Sequence, residues 1–203
     1  MPPDEASDSR RALILEVART AFFAYGYGAT SMSAIAATLG GSKTTLWSHF
    51  HGKASLLGGV IDDVLGRHCA AISRPLPPDL PLVATLERFG AVLMATILSA
   101  PMVDLHRLIM GEAARFPELA ARYQARGPEC GTGRLADYLA AAMADGRLDP
   151  GDPLTAANQF VALCRSGSFR QAVLGIGPAP DADAIARDVA RAVDALLKIW
   201  SPA

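Results

Sequence analysis

With 203 residues, 51% of them apolar, and a net charge of −1, the chain can fill a core and is not an intrinsically disordered protein. No run approaches the roughly 18–20 uninterrupted apolar residues of a membrane span, and the opening MPPDEASDSRR has no apolar segment of the signal-peptide kind. Near-neutral charge argues neither for nor against nucleic acid, and the three cysteines, Cys69, Cys130 and Cys164, are an odd number without metal-ligand spacing, which fits packing roles in a reducing cytoplasm.

The predicted elements are all helical. Ala and Leu dominate, runs that alternate with period two are few, and about nine helices are expected from pattern and punctuation. The first covers about 9–25, with Ile14, Ala18 and Phe22 stepping by four along one apolar face, and Gly26 stops it. A short second helix follows Ser31, a good N-cap, and carries Ile35, Ala36 and Leu39. Gly40-Gly41 breaks it. Ser42 opens a third through Phe50, with Leu46 and Phe50 facing inward, and a fourth runs from about Lys53 to Ile72.

The stretch SRPLPPDLP, 73–81, cannot continue a helix. Two domains are expected, one over 9–58 and one over 59–203. Further helices are expected at about 82–99, 102–115, 117–145, 153–175 and 181–200, with Gly127-Pro128 kinking or splitting the long third of these.

The segment LGGSKTTLWSHF, 39–50, has the look of a phosphate-cradling loop. A nucleotide-binding loop of the G-x-x-x-x-G-K-[ST] type needs glycines where this chain has Ser42 and Ala37, and it follows a buried strand. Here an Ala-rich helical segment precedes it. Two short helices around a glycine turn make a helix-turn-helix instead, its second helix lying in the major groove. Ser42, Lys43, Thr44 and Thr45, at the N-terminus of that helix, would then face bases and phosphates, where free N–H groups and the helix dipole favour anions. Residues 10–68 carry Arg10, Arg11, Arg19, Lys43, Lys53 and Arg67 against Glu16, Asp62 and Asp63. So mild an excess holds DNA weakly as a monomer, and a dimer doubles the contacts.

Residues 14–57, ILEVARTAFFAYGYGATSMSAIAATLGGSKTTLWSHFHGKASLL, closely resemble the DNA-binding domain of TetR-family transcriptional regulators. The resemblance implies phosphate contacts for Thr30, His49 and Lys53, and base-edge contacts for Thr44 and Thr45 alongside Lys43. Trp47 stands where the family usually has a phosphate-contacting Tyr, and its indole N–H can still donate to a phosphate from a different place. Gly41 stands where the family usually has Val, and Leu39 where it has Ala. Residues 105–163, with the elements EAARFPEL and DPLTAANQF, resemble the C-terminal domain of the AefR-like subgroup.

The resemblance implies a homodimeric one-component regulator, most often a repressor, that binds a palindromic operator and is released by a small molecule. Phe89, Met94, Met102, His106, Met110, Phe116, Tyr123 and Phe160 are candidates for lining the effector pocket, since Met-rich bundle interiors adapt to several ligand shapes. Taken singly, each is more simply a core residue. His106, among Leu105, Leu108 and Ile109, is more simply a satisfied half-buried histidine than a metal ligand.

Two apolar stripes, Ala156, Phe160, Leu163 and Gly167, and Ile185, Val189, Ala192, Leu196 and Trp200, are expected to form a four-helix dimer interface, against the plainer reading that they are core. No catalytic constellation, cofactor or metal is expected. The reading from another class is a helical ligand-binding or scaffold protein with a degenerate DNA-reading helix, which Gly41, Trp47 and the thin basic charge keep open.

Overall fold

The computed structural model describes residues 3–40, 43–70, 72–76, 80–126 and 131–202. Those residues form eleven α-helices and no strand: α1 (Pro3–Ala29), α2 (Met32–Thr38), α3 (Lys43–His49), α4 (Lys53–Cys69), α5 (Leu82–Ile97), α6 (Ala100–Glu112), α7 (Pro117–Arg126), α8 (Thr132–Ala144), α9 (Pro153–Cys164), α10 (Ser168–Leu174) and α11 (Ala182–Trp200). Nine expected helices become eleven because two long segments divide. Residues 117–145 give α7 and α8, with Gly127-Pro128 lying outside the described residues, and residues 153–175 give α9 and α10. No single helix among the described residues is long and apolar enough to cross a membrane.

The chain divides into two compact units, Met1–Gly66 with Asp104–Ala125, and Arg67–Val103 with Arg126–Ala203. In the first, Ile14, Leu15, Ala18 and Phe22 of α1, Leu46 and Phe50 around α3, and Leu56, Leu57, Val60 and Ile61 of α4 are all buried. The regular α1 backbone is interrupted at Gly26, which takes φ +78°, a conformation that L side chains rarely adopt. Gly59 on α4 lets that helix close onto its neighbours: a Cβ there would lie 2.8 Å from Phe50 Cε1 and 3.0 Å from Leu15 Cδ2.

Most of α6 and α7 belongs to this first unit. The Gly28 N–H donates to Glu112 Oε1 at 3.0 Å, the Phe116 and Tyr27 rings meet edge to face at 4.5 Å, and Arg122 pairs with Asp62 of α4.

In the second unit α5, α8, α9 and α11 enclose one core, with Leu86, Met94, Leu139, Ala156, Phe160, Ala192 and Leu196 at its centre. Gly90 brings α5 close to α11; a Cβ on it would lie 2.6 Å from Val189 Cγ1. Asp152 caps α9 through the N–H groups of Leu154 and Thr155, and Pro153 takes the first helical position, where its missing N–H costs nothing. Asp181 caps α11.

The N-terminus of α10 has Gly167 at its cap position and no side chain of its own to accept from it. The cap comes from α11: the Ser168 N–H donates to Asp188 Oδ2 at 2.8 Å, and Arg191 pairs with the same carboxylate. A Cβ at position 167 would lie 2.4 Å from Asp188 Oδ1, so this close approach requires glycine.

Cys164 is a free, buried thiol. Burial, and then the charge of Asp188, push it up to about 12, which makes it an inert packing residue. Cys69 is disulfide-bonded, contrary to the expectation of reduced thiols, and Cys130 lies outside the described residues.

Candidate nucleic-acid interface

After α2, Gly40 takes φ +60°, and Gly41 lies outside the described residues. The Ser31 Oγ accepts from the Ala34 N–H at 3.1 Å and fixes the start of α2. Leu46 and Phe50 are buried, as their spacing predicts, and they roll the opposite side of α3 outward. Thr44, Trp47 and Ser48 are exposed there, at positions i, i+3 and i+4 that share one helix face. Thr45 and His49 flank that face, half-buried.

Trp47 is 48% exposed. It is a large apolar surface on an otherwise polar helix face. Ser42 and the side chain of Lys43 lie outside the described residues. Arg11, which the sequence reading counted only as charge, stands with its guanidinium 5.4 Å from the Phe50 ring, at the end of α3. Its sequence signal was an Arg-Arg pair opening the first helix.

Two expected phosphate contacts have other work in this structure. Thr30 is only 4% exposed, and its hydroxyl donates to the carbonyls of Gly26, at 2.8 Å, and Ala21. It satisfies the carbonyls left open where α1 is interrupted, so it does not point outward. The Lys53 ammonium donates to the carbonyls of Tyr27, at 2.8 Å, and Gly28, and lies 4.4 Å from the centre of the Tyr27 ring. It ties the first turn of α4 to the end of α1. Lys53→Ala is therefore expected to lower the unfolding free energy by about 1–2 kcal/mol. The salt dependence of DNA binding should stay unchanged. Chemical denaturation and a salt titration check the two halves of that expectation.

The eight pocket candidates divide between the units. Phe89, Met94, Met102 and Phe160 are buried in the second, where the Phe89 and Phe160 rings lie 6.2 Å apart as core. His106, Met110, Phe116 and Tyr123 belong to the first. His106 Nδ1 is 3.3 Å from the Tyr123 hydroxyl, a satisfied half-buried pair, and Met110 is exposed.

The dimer candidates need a similar correction. Ala156, Phe160, Val189, Ala192 and Leu196 are buried within the protomer itself, because α11 lays its apolar stripe on α5 and α9 of the same chain. Leu163, Gly167, Ile185 and Trp200 are half-buried. Gly167 sits against Asp188, and the Trp200 indole donates to Gln159 Oε1 at 2.8 Å. The apolar residues that do reach the surface of this unit include Leu154, Leu174, Ile176 and Ile199.

Helices α2 and α3 near one end of an all-helical chain, with a helical bundle after them, are the arrangement of helix-turn-helix transcriptional regulators. Residues 14–60 match the model of bacterial regulatory proteins of the tetR family, and residues 84–202 match that of the C-terminal domain of AefR-like transcriptional repressors. Among solved structures, the chain is similar to a TetR-family transcriptional regulator from Mesorhizobium loti (24% identity, TM-score 0.79, 97% of this chain and 98% of that one). It is also similar to the flavonoid-responsive regulator FrrA (32%, 0.77, 96% and 98%), and to a TetR-family regulator from Pseudomonas syringae pv. tomato (29%, 0.76, 95% and 97%). No curated protein matches. The chain belongs to the TetR family of transcriptional regulators, with an AefR-like C-terminal domain.

Proposed function

We propose that the protein is a homodimeric repressor that binds a palindromic operator in the cytoplasm and is released from it by a small molecule, with no enzymatic activity of its own. The observation that carries this reading is the outward face of α3, where Thr44, Trp47 and Ser48 stand exposed beside Thr45 and His49. Residues 9–58 supply the DNA-reading domain, and residues 59–203 the ligand-binding and dimerisation domain. The two recognition helices enter successive major grooves, about 34–36 Å apart. FrrA is described as flavonoid-responsive, and that likeness supports a small-molecule effector here.

The dimer forms through the outer faces of α9 and α11, where Leu154 and Ile199 are exposed. Helix α4 begins in the first unit and ends in the second, so it is the lever through which the effector acts. Reversing a 99:1 population requires roughly 5.5 kcal/mol of differential affinity.

Selecting fragments of the source genome with purified protein tests the reading. A recovered palindrome whose binding falls steeply with salt supports it. A folded dimer that recovers nothing, with or without candidate effectors, overturns it. Trp47→Ala is expected to weaken binding to the recovered site about tenfold and to leave thermal stability unchanged, because the side chain is exposed. Fluorescence anisotropy at fixed salt reads the first effect, and a thermal melt the second.

A further inference from the structure

The second unit carries a groove of about 150 Å³ where the segment after α4 meets α5. Its apolar walls are Ile72, Pro75, Leu76, Phe89 and Val92, and two arginines, Arg74 and Arg88, complete the lining. Ile72 and Phe89 are buried, and both arginines are exposed. The ion pairs Arg19–Glu16, Arg107–Asp104, Arg122–Asp62, Arg147–Asp145 and Arg191–Asp188 engage neither arginine. Among the described residues, neither guanidinium beside this apolar recess is paired with a carboxylate.

From this juxtaposition we infer that the groove binds a single-ring aromatic carboxylate. An apolar recess of about 150 Å³ suits one benzene-sized ring. A guanidinium fork matches a carboxylate in plane and charge. The Phe89 ring offers an aromatic wall for the ring of the ligand. Inorganic phosphate fits less well, because the apolar walls return none of its hydrogen bonds. A neutral ring of the same size fills the recess but gives up both arginines. The inference rests on the ligand-responsive reading above, and it assigns the chemical class of the effector.

The test is calorimetry on the full-length protein without DNA, using benzoate, benzyl alcohol and inorganic phosphate as probes. Benzoate is expected to bind with a Kd on the order of 0.1–1 mM, with benzyl alcohol and phosphate each at least about tenfold weaker. Arg74→Gln and Arg88→Gln should each weaken benzoate about tenfold. Both positions are exposed, so circular dichroism should show an unchanged fold.

Failure of benzoate to bind at about 10 mM, or equal binding to the Arg74→Gln/Arg88→Gln double variant, overturns the inference. A recovered operator alongside that result leaves the regulator reading standing. Arginine-dependent benzoate binding by a protein that recovers no operator keeps the site and removes the regulator reading.

Discussion

Asp188→Ala is expected to lower the unfolding free energy of the second unit by roughly 2–3 kcal/mol at neutral pH. The side chain is only 4% exposed. It accepts the Ser168 N–H at the start of α10 and pairs with Arg191 along its own helix. Truncation leaves the Ser168 N–H without its acceptor at a helix end that has no other cap. The effect has a defined pH dependence. Burial alone would raise the Asp188 carboxyl, but the hydrogen bonds from Ser168 and the Arg191 guanidinium outweigh it and hold the group below the usual carboxylate range. A carboxyl lowered by folding contributes stability above its unfolded value, about 3.9, and loses it as the pH falls through its folded value. The gap between wild type and Asp188→Ala should therefore be full at pH 7 and narrow below about pH 4. Denaturant titrations at the two pH values measure it. A gap that stays constant with pH would assign the loss to packing alone.

Asp188 also marks where the sequence stops being legible. The N-caps of α2, α9 and α11 lie next to the helices they serve, at Ser31, Asp152 and Asp181, and the punctuation that starts those helices is local. The cap of α10 comes from twenty residues downstream. Nothing local announces that α9 ends at Cys164, and the expected helix at 153–175 ran straight through Gly167.

The apolar stripe at 185, 189, 192, 196 and 200 was legible as a stripe. Periodicity shows that a helix face must be covered, not by which element. The protomer covers most of it with α5 and α9, and Gly90 lets α5 approach closely.

The interface divides along the same line. Leu46 and Phe50 point inward by spacing alone, which leaves Thr44 and Trp47 outside. Thr30 and Lys53 were read outward because the family resemblance implies phosphate contacts at their positions. Their carbonyl partners at Gly26, Tyr27 and Gly28 exist only because α1 is interrupted at a glycine with positive φ. Polar side chains near such a break are drawn to its open carbonyls. The same end of α1 meets α6 and α7 through Glu112 and Phe116, residues some eighty positions away that no local pattern connects to it.

Thr44→Glu separates DNA binding from folding, and it carries the largest expected functional effect. Thr44 is exposed in the first turn of α3. A carboxylate near a helix N-terminus interacts favourably with the dipole, by a few tenths of a kcal/mol, so the free protein should be as stable as wild type or slightly more so. Against DNA the same charge faces the phosphates of the groove and opposes the cations that displace their counterions. Like-charge juxtaposition at a binding surface costs several kcal/mol, and the proposed dimer would present the substitution twice. Affinity for the recovered operator should fall at least a hundredfold, about 2.7 kcal/mol, at one salt concentration, with an unchanged thermal midpoint. The paired measurement is anisotropy with the operator and a melt of the free protein. Binding within about threefold of wild type would mean that this face of α3 does not enter the groove, and the assignment of the recognition helix would fall with it.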